Sequence, residues 1–300
     1  MKISAVIPSY NNANTIERAL DSLRLQKRKP DEIIVVDDCS TDDTSAVVVQ
    51  WAKKYSVDVE LLHTNSNSGP AVARNLGVST ASGDWIAFLD ADDEWLPHRL
   101  SVQTEVLRLQ QMHDTALICS RIIRNKAPLV ERKLKETDVT ELNLNDFAFG
   151  NPVATSSVLV LREAIQKIGG FDEQFRGPED YDLWMRIAKK FRIIRVELEL
   201  AVCYEQQNGL SMNYRLFLPQ VLAVIDKAYG KGGVFEGSPW RNTARSCQIL
   251  SAGWMACRSG RKTDAFRLWV RGVLASPAGL PDWKLQWKAR LKLLWYILKN

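Results

Sequence analysis

The sequence predicts an α/β fold, a mixed and mainly parallel sheet flanked by helices, with a helical extension at its C-terminus. Three observations predict it. The first hundred residues alternate short apolar runs with segments of helical period, which is how strand–helix–strand units of a parallel sheet read. Several of those runs end abruptly in acids or turn residues. After Ser211 the strand signals stop and helical periodicity alone remains.

The elements follow in order. ISAVIP reads as a strand closed by Pro8, and the next segment as a helix capped by Asn14, with Glu17 three residues on and Ile16, Ala19, Leu20 and Leu23 on one face. EIIVVDD is a buried strand ending in Asp37 and Asp38, and STDDTSAVVVQWAKKY a helix behind capping residues. VDVELLH gives a third strand, GPAVARNLGVSTA a helix after a Gly-Pro turn, and WIAFLD a fourth strand. A long helix is expected from Pro97 to Met112. Beyond Thr115, ALICSRIIR and SSVLVLR read as strands separated by a charged loop from Asn125 to Glu141. EDYDLWMRIAKKF is an amphipathic helix with Leu183, Trp184 and Ile187 inward, and RIIRVELELAVCYEQ a strand or strand pair. The helical remainder is broken at GKGGVFEGSP and SPAGLP.

Composition narrows the function classes. The 300 residues are 46% hydrophobic and 25% charged, with a net charge of +5, ordinary for a globular chain of one catalytic domain plus an appendage. The N-terminal MKISAVIPSYNN meets polar residues before an apolar leader forms, and no run reaches the roughly 18 apolar residues of a membrane span. Five scattered cysteines without a CxxC pair fit reduced thiols, so a cytoplasmic protein is expected. Charge is uneven: residues 240–300 hold twelve Lys or Arg against two acids, a net +10, and six of the ten tryptophans. The two parts of the chain therefore face different partners.

In an open α/β sheet, ligands bind beyond the C-terminal ends of the strands. Here those ends carry Pro8-Ser9-Tyr10, Asp37-Asp38 and Asp90-Ala91-Asp92-Asp93. Strand-end aspartates also serve as caps and turn formers, but three such tips converging on one edge point to a ligand cleft. Hard cations such as Mg²⁺ or Mn²⁺ take one or two carboxylates plus substrate phosphates, which an Asp-x-Asp at a strand end supplies.

Four motifs then occur in sequence: VIPSYNNANTIERALDSL, DEIIVVDDCSTDDT, NSNSGPAVARNLGVSTASGDWIAFLDADD and GGFDEQFRGPEDYDLWMRI. Together they resemble the nucleotide-sugar glycosyltransferases of family two, inverting enzymes of GT-A fold, over roughly Lys2 to Ser211, of the kind that builds bacterial cell-surface polysaccharides. The resemblance implies a catalytic domain over 1–212, with a nucleotide-sugar half to about 112 and an acceptor half from 113, and a basic Trp-rich extension over 213–300. It implies that Pro8, Ser9 and Tyr10 line the donor base and that Asp38, or Asp37, accepts a hydrogen bond from it, a uridine donor being favoured. Gly69 and Arg74 would pass close to the nucleotide, with Arg74 pairing the Asp cluster. Asp90 would hold ribose, Asp92 with Asp90 the Mn²⁺ or Mg²⁺, and Asp93 would be a second ligand or a helix cap. Cys39 departs from the family's usual Gly and requires an unusual backbone angle or a different turn.

Inversion needs a carboxylate to take the acceptor hydroxyl's proton. Within the resemblance GPEDYDLW supplies it, Asp180 as the usual member and Glu179 as its neighbour; read alone, the two are a first-turn capping pair. Asn151, Thr155 and Ser156 match the acceptor region. The loop that often carries a metal-side histidine has none here, leaving Gln207 or Asn208; His63, His98 and His113 read as solvated or core residues. A Gln-x-x-Arg-Trp signature of processive synthases is absent, so transfer of one sugar per encounter is expected, to a saccharide or lipid-linked glycan. A nicotinamide oxidoreductase would need Gly-x-Gly-x-x-Gly where PSYNNAN stands, and nothing points to nucleic acid. The remaining rival is an inactive nucleotide-sugar-binding or scaffold protein of the same fold. In the tail, Pro281 starts a helix with Trp283, Trp287, Leu291, Leu294, Trp295 and Leu298 on one face and a net +4 over 281–300. That pattern fits a peripheral helix on an anionic membrane, or one packed on the protein or a partner.

Overall fold

Ile3–Ser9 (β1) is buried at every position, as a strand covered on both faces must be, and its run of Ile, Ala and Val carries no alternation. In the computed structural model, which describes residues 1–109, 115–124, 135, 138–205, 213–277 and 283–299, this strand is central to the sheet. β2 (Glu32–Asp37) lies parallel on one side of it and β3 (Glu60–His63) outside β2, while β4 (Trp85–Phe88) lies parallel on the other side. The chain thus builds outward from β1 in one direction and then returns to its other flank. The strand order thus reverses between β1 and β4, the switch point beside which open α/β sheets bind ligands.

The sheet continues through β8 (Leu159–Leu161), β6 (Thr115–Arg124) and β9 (Arg192–Cys203). β8 is antiparallel to both neighbours, and β9 runs parallel to β6. Two short strands share the outer edge of β9: β7 (Val139–Leu142) at one end and β5 (Glu94–Trp95) at the other, both antiparallel. β7 occupies the end of what the sequence predicts as a charged loop. Its polar residues pair with β9 about fifty positions away, Glu141 bridging Arg192 at 2.8 Å, so no local pattern announced it.

The helices beside these strands are α1 (Ile16–Arg24), α2 (Thr44–Tyr55), α3 (Pro70–Thr80), α4 (Arg99–Leu109) and α5 (Arg162–Ile168). Ile3, Ala5 and Ile7 share one core with Ile16, Leu20, Val48 and Trp51. Alternate residues face the other way, and there α3 lies close enough that a Cβ on Gly77 would stand 2.5 Å from Val6 Cγ1. Two helix starts differ from expectation. Asn14 does not cap α1; the Asn12 carbonyl accepts the Thr15 and Ile16 amides, both at 2.9 Å, and Glu17 instead pairs with Lys54. α4 begins at Arg99 rather than Pro97, because the residues before it are drawn into β5 and the turn after it.

The chain divides into two compact units: residues 1–143, 153–174 and 186–205 with the sheet, and residues 144–152, 175–185 and 206–300 with the C-terminal helices. The second unit holds the start of α6 (Glu179–Lys190) with α7 (Tyr214–Tyr229), α8 (Arg241–Arg258), α9 (Lys262–Ala275) and α10 (Trp283–Lys299). These helices are pinned to the 144–152 segment and to α6. Tyr229 donates to the Ala148 carbonyl at 2.9 Å, Gln248 to that of Phe149 at 2.8 Å, and Lys227 meets Asp182 at 2.8 Å. Segments 144–152 and 175–185 thus group with the helices that follow residue 206.

Gly77→Ala tests the close packing of α3. Alanine gains up to about 1 kcal/mol of helix propensity, but the added methyl overlaps Val6, and overpacking costs about 1–3 kcal/mol. Urea denaturation is expected to show net destabilisation; a gain in stability would contradict the contact.

Candidate active site

The register of β4 against β1 sets the position of the acids. Phe88 pairs with Val6, and the Leu89 amide donates to the Val6 carbonyl at 3.1 Å, so Asp90 leaves the sheet two residues past the last pair. Arg74 comes off buried α3 and meets Asp90 at 2.7 Å, its guanidinium 5.6 Å from the Phe171 ring. Asp93 turns inward: it accepts the Ser156 hydroxyl at 2.5 Å and the Tyr204 amide at 3.1 Å. It is thus neither a helix cap nor open to solvent, and its carboxylate ties the acid turn to the segment before β8 and to the end of β9. Asp92 is half-buried, with Arg18 of α1 bonded to its backbone carbonyl.

Burial, and then the neighbouring charge of Asp90, pushes the Asp92 carboxyl up to about 6, against smaller opposing effects of its own amide, Arg18 and Arg74. The same two causes raise Asp93, which the Ser156 hydroxyl partly offsets. The folded values lie above those of free carboxylic acids. Their protonated forms therefore favour the fold at low pH, and that stability is lost as pH rises through the raised values. At neutral pH the turn carries charge that the protein alone does not fully compensate.

The β1 and β2 tips are fastened to each other. The Asp38 amide donates to the Ser9 carbonyl at 2.8 Å, and Asn11 accepts the Thr41 amide at 2.8 Å. Asn11 and Cys39 both take left-handed φ, +54° and +62°. Cys39 thus adopts the angle that a glycine would take there at lower cost, and the turn is kept. Pro8 and Ser9 are buried, whereas the Tyr10 side chain is exposed. Asp37 accepts the Ser40 amide at 2.9 Å and the Ser45 hydroxyl, which leaves it shaping its own turn. Asp38 is buried and accepts Thr64 Oγ1 at 2.7 Å, the Ser68 amide at 2.9 Å and the Gly69 amide at 2.7 Å. Those bonds hold the turn into α3, where Gly69 has φ +96° and Pro70 opens the helix.

In the second unit, Glu179 and Asp180 open α6 with different fates. Glu179 is 2% exposed and accepts the Gly177 amide at 2.6 Å, a capping contact. Asp180 is half-buried, accepts the Tyr181 amide at 2.6 Å and receives Asn151 Nδ2 at 3.1 Å on its other oxygen. Asn151 thus orients Asp180. Thr155 and Ser156 are buried in a 3₁₀ turn of the sheet unit. The Ser156 hydroxyl accepts the Asp90 amide at 3.1 Å while donating to Asp93, so this residue of the expected acceptor region also supports the acid turn. His113, Gln207 and Asn208 lie outside the described residues.

Among the described residues no cluster of three metal-ligating side chains forms. The donor set still fits a hard divalent cation. The Asp92 carboxylate is half-buried beside Asp90, and among the described residues no side chain is seen to donate to it. One or two such carboxylates suffice when substrate phosphates complete the shell.

Three contributors were missed from sequence. Arg18 stacks over the Tyr204 ring at 3.9 Å, Tyr204 bonds Glu94 at 2.9 Å, and Trp95 Nε1 donates to the Ser156 carbonyl at 2.8 Å. Arg18 lies in the first motif and Trp95 beside the third, but no spacing rule links a helix arginine to a strand end over seventy positions away.

Residues 4–169 match the family described as Glycosyl transferase family 2. The amylovoran biosynthesis glycosyltransferase AmsB of Erwinia amylovora is 32% identical over 231 residues, covering 72% of this chain and 76% of that protein. The structure of S. aureus TarS 1-349 in complex with UDP-GlcNAc aligns at a TM-score of 0.64 and 17% identity, covering 100% of this chain and 88% of that one. The mannosyltransferase PcManGT from Pyrobaculum calidifontis, in complex with GDP-Man and Mn²⁺, aligns at a TM-score of 0.59 and 20% identity, covering 100% and 86%. At these identities the likeness shows the fold, GT-A with C-terminal helices.

Ser156→Ala removes the donor to Asp93 and the acceptor of the Asp90 amide together. Leaving buried polar groups unmet costs about 1–3 kcal/mol. Denaturant titration should show that loss at neutral pH; unchanged stability would mean the hydroxyl does not hold the turn.

Proposed function

The chain belongs to glycosyl transferase family 2, and on that premise we propose a metal-dependent, inverting, non-processive transfer of one sugar from a nucleotide diphosphate to an acceptor hydroxyl. A UDP-sugar is the favoured donor. The Tyr10 ring is free to pack on the base, and Asp38 with Gly69 forms the wall that Arg74 continues toward the ribose at Asp90. TarS and PcManGT, each solved with a nucleotide sugar, support a donor of that class. Mn²⁺ or Mg²⁺ held by Asp92 with Asp90 supplies, when bound, neutralisation of the diphosphate leaving group.

Asp180 is the proposed base. An acceptor hydroxyl becomes a competent nucleophile as Asp180 takes its proton, while Asn151 holds the other carboxylate oxygen and fixes the angle of approach. Glu179, buried on the Gly177 amide, acts as the cap that places Asp180. The acceptor is proposed to be a saccharide or lipid-linked glycan of cell-surface polysaccharide, lipopolysaccharide or capsule. The role of AmsB in amylovoran biosynthesis supports that setting. The catalytic half is proposed to span 1–212 with the basic extension after it, working in the cytoplasm at the inner face of the membrane. Among the described residues no helix is long and apolar enough to cross a membrane.

One observation carries this reading: the desolvated Asp92 carboxylate beside Asp90, without a side-chain donor of its own. The test separates binding from chemistry. Asp180→Asn keeps shape and removes basicity, so donor affinity by calorimetry should persist while transfer falls by roughly two to four orders of magnitude. Transfer near the wild-type rate would reduce Asp180 to a cap.

A further inference from the structure

The tail helix turns outward part of the stripe that its sequence marks for a membrane surface or a packing partner. Arg290, Leu293 and Ile297 are its buried residues, and Arg290 donates to the Ser276 carbonyl at 2.7 Å. Leu291, Trp295 and Leu298, expected together on the apolar face, are 58%, 52% and 74% exposed. Pro281 lies outside the described residues, as do the side chains of Trp283 and Trp287. At about 100° per residue, the exposed three form one stripe on the outward side of α10. Lys288, Lys292 and Lys299 border that stripe and are also exposed, Lys299 with its ammonium 4.4 Å from the Trp295 ring.

Beyond the lysine row a pocket of about 510 Å³ opens between α8 and α10, lined by Trp254, Cys257, Arg258, Lys292 and Tyr296. Its two rings meet edge to face at 5.3 Å. Two cations and two aromatic rings at the margin of a leucine–tryptophan stripe offer an anion a charged seat and an apolar chain a surface. Neither set takes part in the acid sites described above.

We propose that this face docks on an anionic lipid surface, with Leu291, Trp295 and Leu298 entering the interface and the Arg258–Lys292 pocket taking a phosphate-bearing headgroup. The proposal rests on the peripheral membrane placement given above and adds which face and which pocket make it. Charge complementarity selects the occupant. Residues 240–300 carry a net +10, so a second copy bringing the same face would be repelled, while an anionic leaflet is attracted. Protruding leucines gain nothing from a nucleic-acid backbone but gain burial in an interface.

The experiment uses the full chain, sedimented with phosphatidylcholine vesicles with and without phosphatidylglycerol, at low salt. The wild-type protein is expected to pellet with the phosphatidylglycerol vesicles and not with phosphatidylcholine alone. Removing one interfacial charge weakens binding about fivefold, so Arg258→Gln with Lys292→Gln should lower it about 25-fold. Leu291→Gln, Trp295→Gln and Leu298→Gln together should abolish it. All five side chains lie outside the proposed catalytic set, and unchanged donor hydrolysis and thermal melting would show the variants folded. If the wild-type protein stays in solution, both the placement and the docking face fall. If it pellets and both variants pellet equally, the placement stands and this face is overturned. Concentration-dependent dimerisation without vesicles, lost in the triple variant, overturns it in favour of a second copy.

Discussion

Asp90, Asp92 and Asp93 follow the end of β4 within five positions, and burial disfavours the charge on Asp92 and Asp93. Much of the sheet unit's polar architecture answers that crowding. Arg74 is delivered by α3 to Asp90, Arg18 by α1 to the Asp92 carbonyl, and Ser156 and the Tyr204 amide both bind Asp93. Trp95 locks the turn to the Ser156 carbonyl. These contacts orient the carboxylates without cancelling the charge of Asp92. Side chains that hold repelling groups in place in this way suit the proposed divalent cation, which would offset the carboxylate charge and through which a diphosphate would bind.

The nucleotide edge is organised differently. Its aspartates act mainly on backbone: Asp38 collects two amides and a hydroxyl from the turn into α3, and Asp37 its own amide turn. Toward the proposed donor they would contribute the shape of the wall, with Tyr10 as the exposed ring. The second unit repeats this division of labour at Glu179 and Asp180. One carboxylate is buried as a cap, and its neighbour is left half-open with an asparagine on one oxygen.

Much of this was legible in the sequence. β1, β2, β4 and the helices between them could be read because two-sided burial leaves uninterrupted apolar runs, and the acid tips because no core strand ends in three aspartates by accident. The family resemblance implied that Arg74 pairs with the acid cluster, and the structure names Asp90 as its partner. What escaped was non-local. β7 owes its existence to β9, and nothing nearby in sequence names the partners of Ser156 or of Asp93, which read equally as a second metal ligand or a cap. In the tail the stripe could be read but its side could not: Leu291, Trp295 and Leu298 have a period that suits a membrane face or a packing face, and it is Leu293, Ile297 and Arg290, bonded to the Ser276 carbonyl just past α9, that turn inward. Hydrophobic period identifies a stripe, and only tertiary structure says whether it faces inward.

The central claim is that the acid turn is built to share a divalent cation with a nucleotide diphosphate. Calorimetric titration of UDP into the wild-type protein and Asp92→Ala, each with Mn²⁺ and with excess EDTA, tests it most directly. The account predicts that chelation weakens UDP binding to the wild-type protein by at least about tenfold, some 1.4 kcal/mol. It predicts that Asp92→Ala binds UDP weakly and equally under both conditions. Equal UDP affinity of the wild-type protein with Mn²⁺ and with EDTA would contradict it.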